Sequence, residues 1–569
     1  MSYLRKRLAA ERPSLGAVTL LLATVLYIVL TGNQRLWHQV ADLVGWSTPA
    51  GIATFASFFL FLVSLFTLIL APATHRRVFK PLAITLLLIV ATVSWFQDTY
   101  GTIVDRDMIR SALTTDALEA RELLTAGFAA HMILFWLLPS AAIVWIRIEH
   151  PSGLRLAMRT AVIMLVSAIA LVATVWSGYR NFSVLARDHG ELKMLVNPTY
   201  AIYSAIDVMS AGAPSGPSEL IPVGEDATRT ATPASKPRVV VLVLGETARA
   251  DHFQLNGYTR STNPKLEVER VLNFPDVSSC GTSTAVSVPC IFSSFGRDAF
   301  DTDDSRRHEN LLHVLDRTGV DVLWRDNNTG CKGVCAGFEY ESFRKANDTR
   351  FCDADGCIDE IMLEGLERRI LASDRDLFIV LHQAGSHGPA YYRRYPESFS
   401  VYTPECRSDS PEACSTQELI NSYDNSIRYT DYFLSRVIDL LRDLSPRRDA
   451  AMLYVSDHGE SLGENGLFLH GLPYAIAPRV QTHVPMVLWL DESFHAGSVG
   501  ARACLQQRAS TSLSHDNVFH TLLGLFDVQS RDHTLALDVV APCVESLIAE
   551  SERFLQDPLT PDPAAGAVH

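Results

Sequence analysis

Five apolar stretches, at about 14–31, 50–71, 81–97, 125–146 and 159–177, dominate the first third of the chain. Each is long enough, or nearly so, to cross about 30 Å of hydrocarbon as a helix. Backbone polar groups in lipid must be satisfied internally, so this part is expected to be a five-helix transmembrane bundle. The first stretch follows Arg5, Lys6, Arg7 and Arg12 in the manner of a signal peptide, but the four spans behind it argue against cleavage. The amino-terminal arm, the 72–80 turn and the 147–159 turn carry ten Lys or Arg, against four in the 32–49 and 98–124 loops. The positive-inside rule therefore puts the amino terminus in the cytoplasm, and five crossings leave everything after Trp176 outside.

The cysteines lead to the same side independently. All ten lie between Cys280 and Cys543. Their even number, several at short spacing, suggests up to five bridges: Cys280 with Cys290, Cys331 with Cys335, Cys352 with Cys357, Cys406 with Cys414, and Cys504 with Cys543. The alternative is a zinc ribbon, whose paired CxxC spacing is absent. Bridges require an oxidising compartment. The net charge of −14 argues against a nucleic-acid partner, which needs a basic face.

Composition divides the chain into a transmembrane domain (1–180), a bridging segment and linker (181–237), a large soluble domain (238–549) and a tail (550–569) expected to be disordered. The 98–124 loop is longer than a turn needs, and reads either as a substrate element or as an interfacial cap. Tyr200–Met209 reads as a short amphipathic segment, and 210–237, rich in Ala, Pro, Ser, Gly and Thr, as a flexible linker. Beyond it, apolar runs at Val239–Leu244, Val320–Trp324, Leu377–Leu381, Ala451–Val455 and Val484–Leu490 alternate with helical patterns. The fold class expected is an α/β domain with a mostly parallel central sheet. Between Gln417 and Leu444, apolar residues at helical spacing predict a long helix whose apolar face is core.

Chemistry gathers where those runs end. Glu246 follows the first, His382 and His387 follow the third, and Asp457 and His458 follow the fourth, with His470 twelve residues beyond His458. Open α/β sheets bind ligands at this edge. Singly, each residue is more simply a cap or a hydrogen-bond partner. Together, carboxylates and imidazoles without a thiolate suit catalytic Zn²⁺. Cys280 and Cys290 bracket Thr282, Ser283, Thr284 and Ser287, a pinned hydroxyl loop. A metal is one established way to make such a hydroxyl a nucleophile. Spacing alone leaves Thr282 and Thr284 as equal choices.

The segments LGETARADHFQLNGY, CGTSTAVSVPC, HQAGSHGPAYYRRYP and YVSDHGESLGENGLFLHGLPYAIAP closely resemble the lipid A phosphoethanolamine transferases, which include the mobile colistin-resistance enzymes. The resemblance implies a multi-pass bacterial inner-membrane protein with a periplasmic domain of the alkaline phosphatase/sulfatase superfamily. By motif, Thr284 would be the nucleophile, and Glu246, Thr284, Asp457 and His458 the ligands of a catalytic zinc. His387 and His470 would hold a second zinc or contact the transferred phosphate, with His387 also a candidate acid. His382, Asn328, Lys332 and Glu119 match positions near substrate. One departure is Ser111, where the family commonly carries Asn. The partners implied are phosphatidylethanolamine as donor and lipid A as acceptor, with the protein acting as a monomer and the product conferring polymyxin resistance. Rival readings are a phosphoglycerol transferase, a phosphatase or sulfatase, a transferase acting on a core sugar, and a non-catalytic metal-dependent sensor or adhesion module.

Overall fold

The computed structural model describes residues 12–543 except 46, 76, 150–152, 211–219, 230–235, 493 and 495–498. The tail at 550–569 and most of the linker at 210–237 lie outside the described residues. Two compact units result: Met1–Leu113, Glu119–Ala213 and Gly463–Ile476 form one, and Thr114–Leu118, Pro214–Leu462 and Ala477–His569 the other.

Among the described residues, four helices of the first unit are long and apolar enough to cross a membrane: Pro49–Ala73, Phe79–Tyr100, Ala126–Trp145 and Gly153–Gly178. The first expected span is the helix Ala17–Thr31, and where a loop was expected a second helix, Gln34–Val44, follows it at a bend of 65°, so the count is four, or five if the pair is one span. The break falls at Gly32 and Asn33, where carbonyls would be orphaned in lipid. Asn33 Nδ2 donates to Ile28 O at 3.1 Å, and Asn197 Nδ2 to Gly32 O and Val90 O at 2.9 Å each. At Gly32 O a side-chain amide thus takes the place of the lost helical bond, while Ile28 O keeps its bond from Gly32 N at 3.0 Å. The 98–124 loop contains two short helices, Arg106–Thr114 and Ala117–Leu123, and the expected amphipathic segment is the helix Thr199–Ser210.

The second unit is built on eight strands: β1 (Arg238–Gly245), β2 (Leu272–Ser278), β3 (Asp321–Asp326), β4 (Glu339–Ser342), β5 (Leu377–His382), β6 (Asp449–Ser456), β7 (His483–Leu490) and β8 (Leu513–Ser514). Their order is β8-β2-β7-β6-β1-β5-β3-β4. All eight residues of β1 are buried, as a Val- and Leu-rich central strand requires. The sheet is mixed, which corrects the mostly parallel expectation: β7 runs antiparallel to both β6 and β2. The segment joining β6 to β7 holds a pair of two-residue strands, Ser461–Leu462 and Phe468–Leu469, and short helical turns. A parallel return needs a crossover, usually a long helix, so here the chain turns back on itself. Strand β2 has no uninterrupted apolar run because Asn273, Pro275 and Asp276 break it; the β2–β7 register shifts beside Pro275, between Val484 and Met486, where the ladder lacks an N–H.

Three helices matter for the site: α1 (Thr284–Ile291), α2 (Thr416–Leu444) and α3 (Asp516–Leu525). The Ser415 side chain accepts from Glu418 N, and the Glu418 side chain accepts from Ser415 N, a reciprocal cap that starts α2. Its buried face includes the expected Leu419, Tyr423, Ile427 and Phe433, but also Asp424, Asn425 and Asp431. All ten cysteines are bridged, in the five pairs named above. Within the expected linker, Thr228–Arg229 pair antiparallel with Val528–Gln529.

Candidate active site

Four adjacent parallel strands, β6, β1, β5 and β3, end in a row. Ser456 is in register with Gly245, and His382 with both Leu244 and Asp326. The residues that follow therefore emerge side by side: Asp457 and His458, Glu246, Gln383, and Asn327 and Asn328. Thr284 arrives from elsewhere, as the first residue of α1 with Ser283 as its extended N-cap. A helix start supplies free N–H groups and partial positive charge where an anion would lie.

Thr284 Oγ1 donates to Glu246 Oε2 at 3.0 Å and lies 3.4 Å from His458 Nε2. Asn328 Nδ2 donates to the same Glu246 oxygen at 2.7 Å and to Gln383 O at 2.8 Å. His458 Nδ1 lies 3.0 Å from the Gly459 carbonyl, which can only accept, so Nδ1 carries the proton. In the neutral ring Nε2 is then a lone pair, yet it faces Glu246 Oε1 at 3.4 Å and Asp457 Oδ2 at 3.3 Å. Asp457 Oδ2 is buried and receives no hydrogen bond among the described residues.

So many acceptors in a dry place call for either a bound proton or a cation. Burial, then the Glu246 charge, push Asp457 up to about 7. Burial works against a charged His458, but the Asp457 and Glu246 carboxylates outweigh it and raise its pKa. A divalent ion answers the same field, and oxygen and imidazole donors fit Zn²⁺. Glu246 and His458 bring ligand atoms to within 3.4 Å of one another, and His470 lies in the segment Gly463–Ile476 that belongs to the first unit.

The other expected residues fall as follows. His382 donates from Nδ1 to Asp326 Oδ2 at 2.9 Å, and its buried Nε2 has no hydrogen-bond partner among the described residues. His387 is half-buried in the turn after β5, where its carbonyl accepts from Arg394 Nε at 2.8 Å. Lys332 Nζ donates to Thr329 Oγ1 at 2.6 Å, inside the Cys331–Cys335 loop. Glu119 lies in the first turn of Ala117–Leu123. Asp457, His458, Glu246, Thr284 and Asn328 are thus in direct contact.

Sequence reasoning missed the residues beneath this group. Asp326 accepts from the N–H groups of Asn328 and Gly330 at 3.0 and 3.1 Å, aiming Asn328 at Glu246. Burial opposes its charge, but His382 more than compensates and keeps its pKa below the usual carboxylate value. Asp359 accepts from Ala384 N at 2.8 Å and Gly385 N at 3.0 Å, fixing the turn that carries His387. Tyr423 of α2 accepts from Arg249 N and donates to Thr247 O, at 2.9 and 2.7 Å. Asp326 could have been found, since it closes the apolar run that starts at Val320; Asp359 and Tyr423 come from distant segments with no signature.

The sequence profile of the Sulfatase family matches residues 238–528, and that of Phosphoethanolamine transferase EptA/EptB matches residues 62–212. The chain is 36% identical over 541 residues to Phosphoethanolamine transferase EptA of Escherichia coli (strain K12), covering 94% of this chain and 98% of that one. It is 38% identical to Phosphatidylethanolamine transferase Mcr-1 of Escherichia coli, covering 91% and 96%. Among solved structures, the integral membrane protein lipooligosaccharide phosphoethanolamine transferase A (EptA) from Neisseria meningitidis superposes with a TM-score of 0.89 at 32% identity, covering 93% of this chain and 99% of that one.

Proposed function

This chain belongs to the phosphoethanolamine transferase family, and on that premise we propose that it moves phosphoethanolamine from phosphatidylethanolamine to a phosphate of lipid A. The observation that carries the reading is the contact of Thr284 Oγ1 with Glu246 and His458 at the start of a helix.

Glu246, Asp457, His458 and Thr284 would hold a catalytic zinc, with His470 as a further ligand or a holder of a second ion. When bound, the metal supplies positive charge that favours the threonine alkoxide and offsets charge on the phosphoryl oxygens. Thr284 Oγ1 passes its proton to the Glu246 carboxylate it hydrogen-bonds and forms a bond to phosphorus, the bond to the diacylglycerol oxygen breaks, and phosphoethanolamine stays on the threonine. An oxygen of a lipid A phosphate then attacks, and the Thr284 oxygen leaves and regains its proton. The Glu246 hydrogen bond orients Thr284 Oγ1, and Asn328 holds that carboxylate in place. His387 is the proton donor for the first leaving oxygen; its turn is tied to Glu246 by the bond from Ser386 N to Glu246 O, 3.0 Å. His382, Lys332 and Glu119 are assigned to substrate contacts.

Both substrates are lipids, and an apolar helical unit keeps the reacting domain near their headgroups. The product carries an added amine, which makes the surface less anionic and weakens polymyxin binding. The amino terminus is cytoplasmic and the second unit periplasmic, so protease added to spheroplasts should digest that unit without lysis; protection until lysis would reverse the topology.

The central test is mass spectrometry of lipid A from cells expressing the protein or Thr284→Ala. The wild type should add phosphoethanolamine, and the variant should lose about 10³-fold or more of the activity. No addition by the wild type would remove the reading, and equal addition by the variant would remove Thr284 as nucleophile.

A further inference from the structure

One buried imidazole outside the proposed ligand set joins two parts of the site that no ladder bond joins directly. His515 is 1% exposed and follows the short edge strand β8. Its main-chain N–H donates to Ser278 O at 2.9 Å, at the end of β2. Its Nδ1 lies 3.0 Å from the Cys280 N–H, which can only donate, so Nδ1 is the unprotonated nitrogen. The proton is then on Nε2, which donates to the Ser456 carbonyl at 2.9 Å. Burial holds its pKa down to about 3, so the ring stays neutral and can accept on one side while donating on the other.

These two partners stand directly behind the chemistry. Cys280 opens the loop that ends at Thr284, and Ser456 is the last residue of β6, immediately before Asp457. Strands β2 and β6 are not neighbours, because β7 lies between them. No ladder bond joins their ends directly; the ladders reach from one to the other only through β7. Ser456 also reaches the rest of the site: its Oγ accepts from Ala248 N at 2.8 Å and donates to His458 O at 3.0 Å.

We propose that His515 is a positioning residue for the transfer reaction. By holding the Cys280 amide and the Ser456 carbonyl on opposite nitrogens of one ring, it sets the separation of the Thr284 hydroxyl from the Asp457 carboxylate. The inference rests on Thr284 being the nucleophile and Asp457 a metal ligand. His515 touches neither substrate nor metal; it acts through the main chain on both sides of the reacting group.

The test uses the full-length protein in detergent, with His515→Ala, His515→Asn and His515→Gln. Asn keeps an acceptor for Cys280, and Gln keeps a donor for Ser456, so each retains one of the two bonds. Three quantities are read per folded molecule: zinc affinity by competition with a chromogenic chelator, kcat, and KM for phosphatidylethanolamine. In the alanine variant kcat should fall about 10- to 100-fold and the zinc Kd rise about tenfold, the usual scale for groups that orient ligands, with KM changed less than about twofold. Neither Asn nor Gln should bring kcat to within about threefold of wild type, because the span needs both bonds. A ring that merely stabilises the fold would lower the unfolding temperature and leave kcat and zinc Kd at wild-type values, which would overturn the proposal. If the alanine variant does not accumulate folded, the Asn and Gln variants decide by the same numbers. A wild type that binds zinc yet transfers nothing would refute the transferase reading, while the zinc Kd comparison would still judge His515.

Discussion

Asp457 carries a pKa of about 7 because it is buried and faces Glu246, so its charge depends on what shares the site. In the metal-free protein the folded group keeps a proton that the unfolded chain releases near pH 4. The sign follows: its contribution to stability is full below about pH 4 and is lost as pH rises to about 7, at up to about 1.4 kcal/mol per pH unit. Zinc needs the ionised carboxylate and so competes with that proton. The rise in unfolding temperature on adding zinc should therefore grow between pH 5 and 7.5, measured by intrinsic fluorescence in detergent. A rise that is the same throughout would show that no ligand titrates in this range.

The elements matter through their ends. The turn after β5 approaches Glu246 so closely that a Cβ on Gly385, at φ +55°, would lie 2.7 Å from the Glu246 carbonyl oxygen and 2.9 Å from its Cβ. Gly385→Ala should cost at least about 1–2 kcal/mol from the left-handed backbone alone, and push Glu246 from Thr284 and Asn328. The expected result is transfer reduced more than about tenfold with correct membrane insertion, read from lipid A mass spectra. Wild-type transfer would mean that the turn gives way without moving Glu246. Helix α2 shows how much of an element can be legible in advance. Its apolar spacing marked it correctly, but that spacing could not reveal that Asp424 accepts from Tyr258 and Arg260 at 2.9 and 2.7 Å. A carboxylate on a helix face reads as solvated until its partners are known, and these come from more than 160 positions away.

At the scale of the molecule, five bridges stabilise a unit whose active edge is made of loops. Closing the loop from Cys280 to Cys290 is worth about 2.5–3 kcal/mol in chain entropy, and Cys406 to Cys414 nearly the same. Only the first loop contains Thr284. Replacing Cys280 and Cys290 by alanine should lower both unfolding temperature and kcat, whereas replacing Cys406 and Cys414 should lower the unfolding temperature and leave kcat within about twofold. Equal losses of kcat in both pairs would make the first bridge a general stabiliser, with no special hold on the nucleophile loop.

Apolar run lengths and the places where they end are properties of the chain itself, because burial and hydrocarbon thickness act on consecutive residues. They were enough to locate the membrane-crossing third of the molecule, five of the eight sheet strands, the long helix α2, and Glu246, Asp457 and His458 at strand ends. The direction of β7, the 65° bend after the first apolar segment and the contact of Thr284 with Glu246 were decided only in three dimensions. So were the supports at Asp359 and His515. Each depends on which distant segment supplies a hydrogen bond or a close approach, and residue spacing carries no record of that choice.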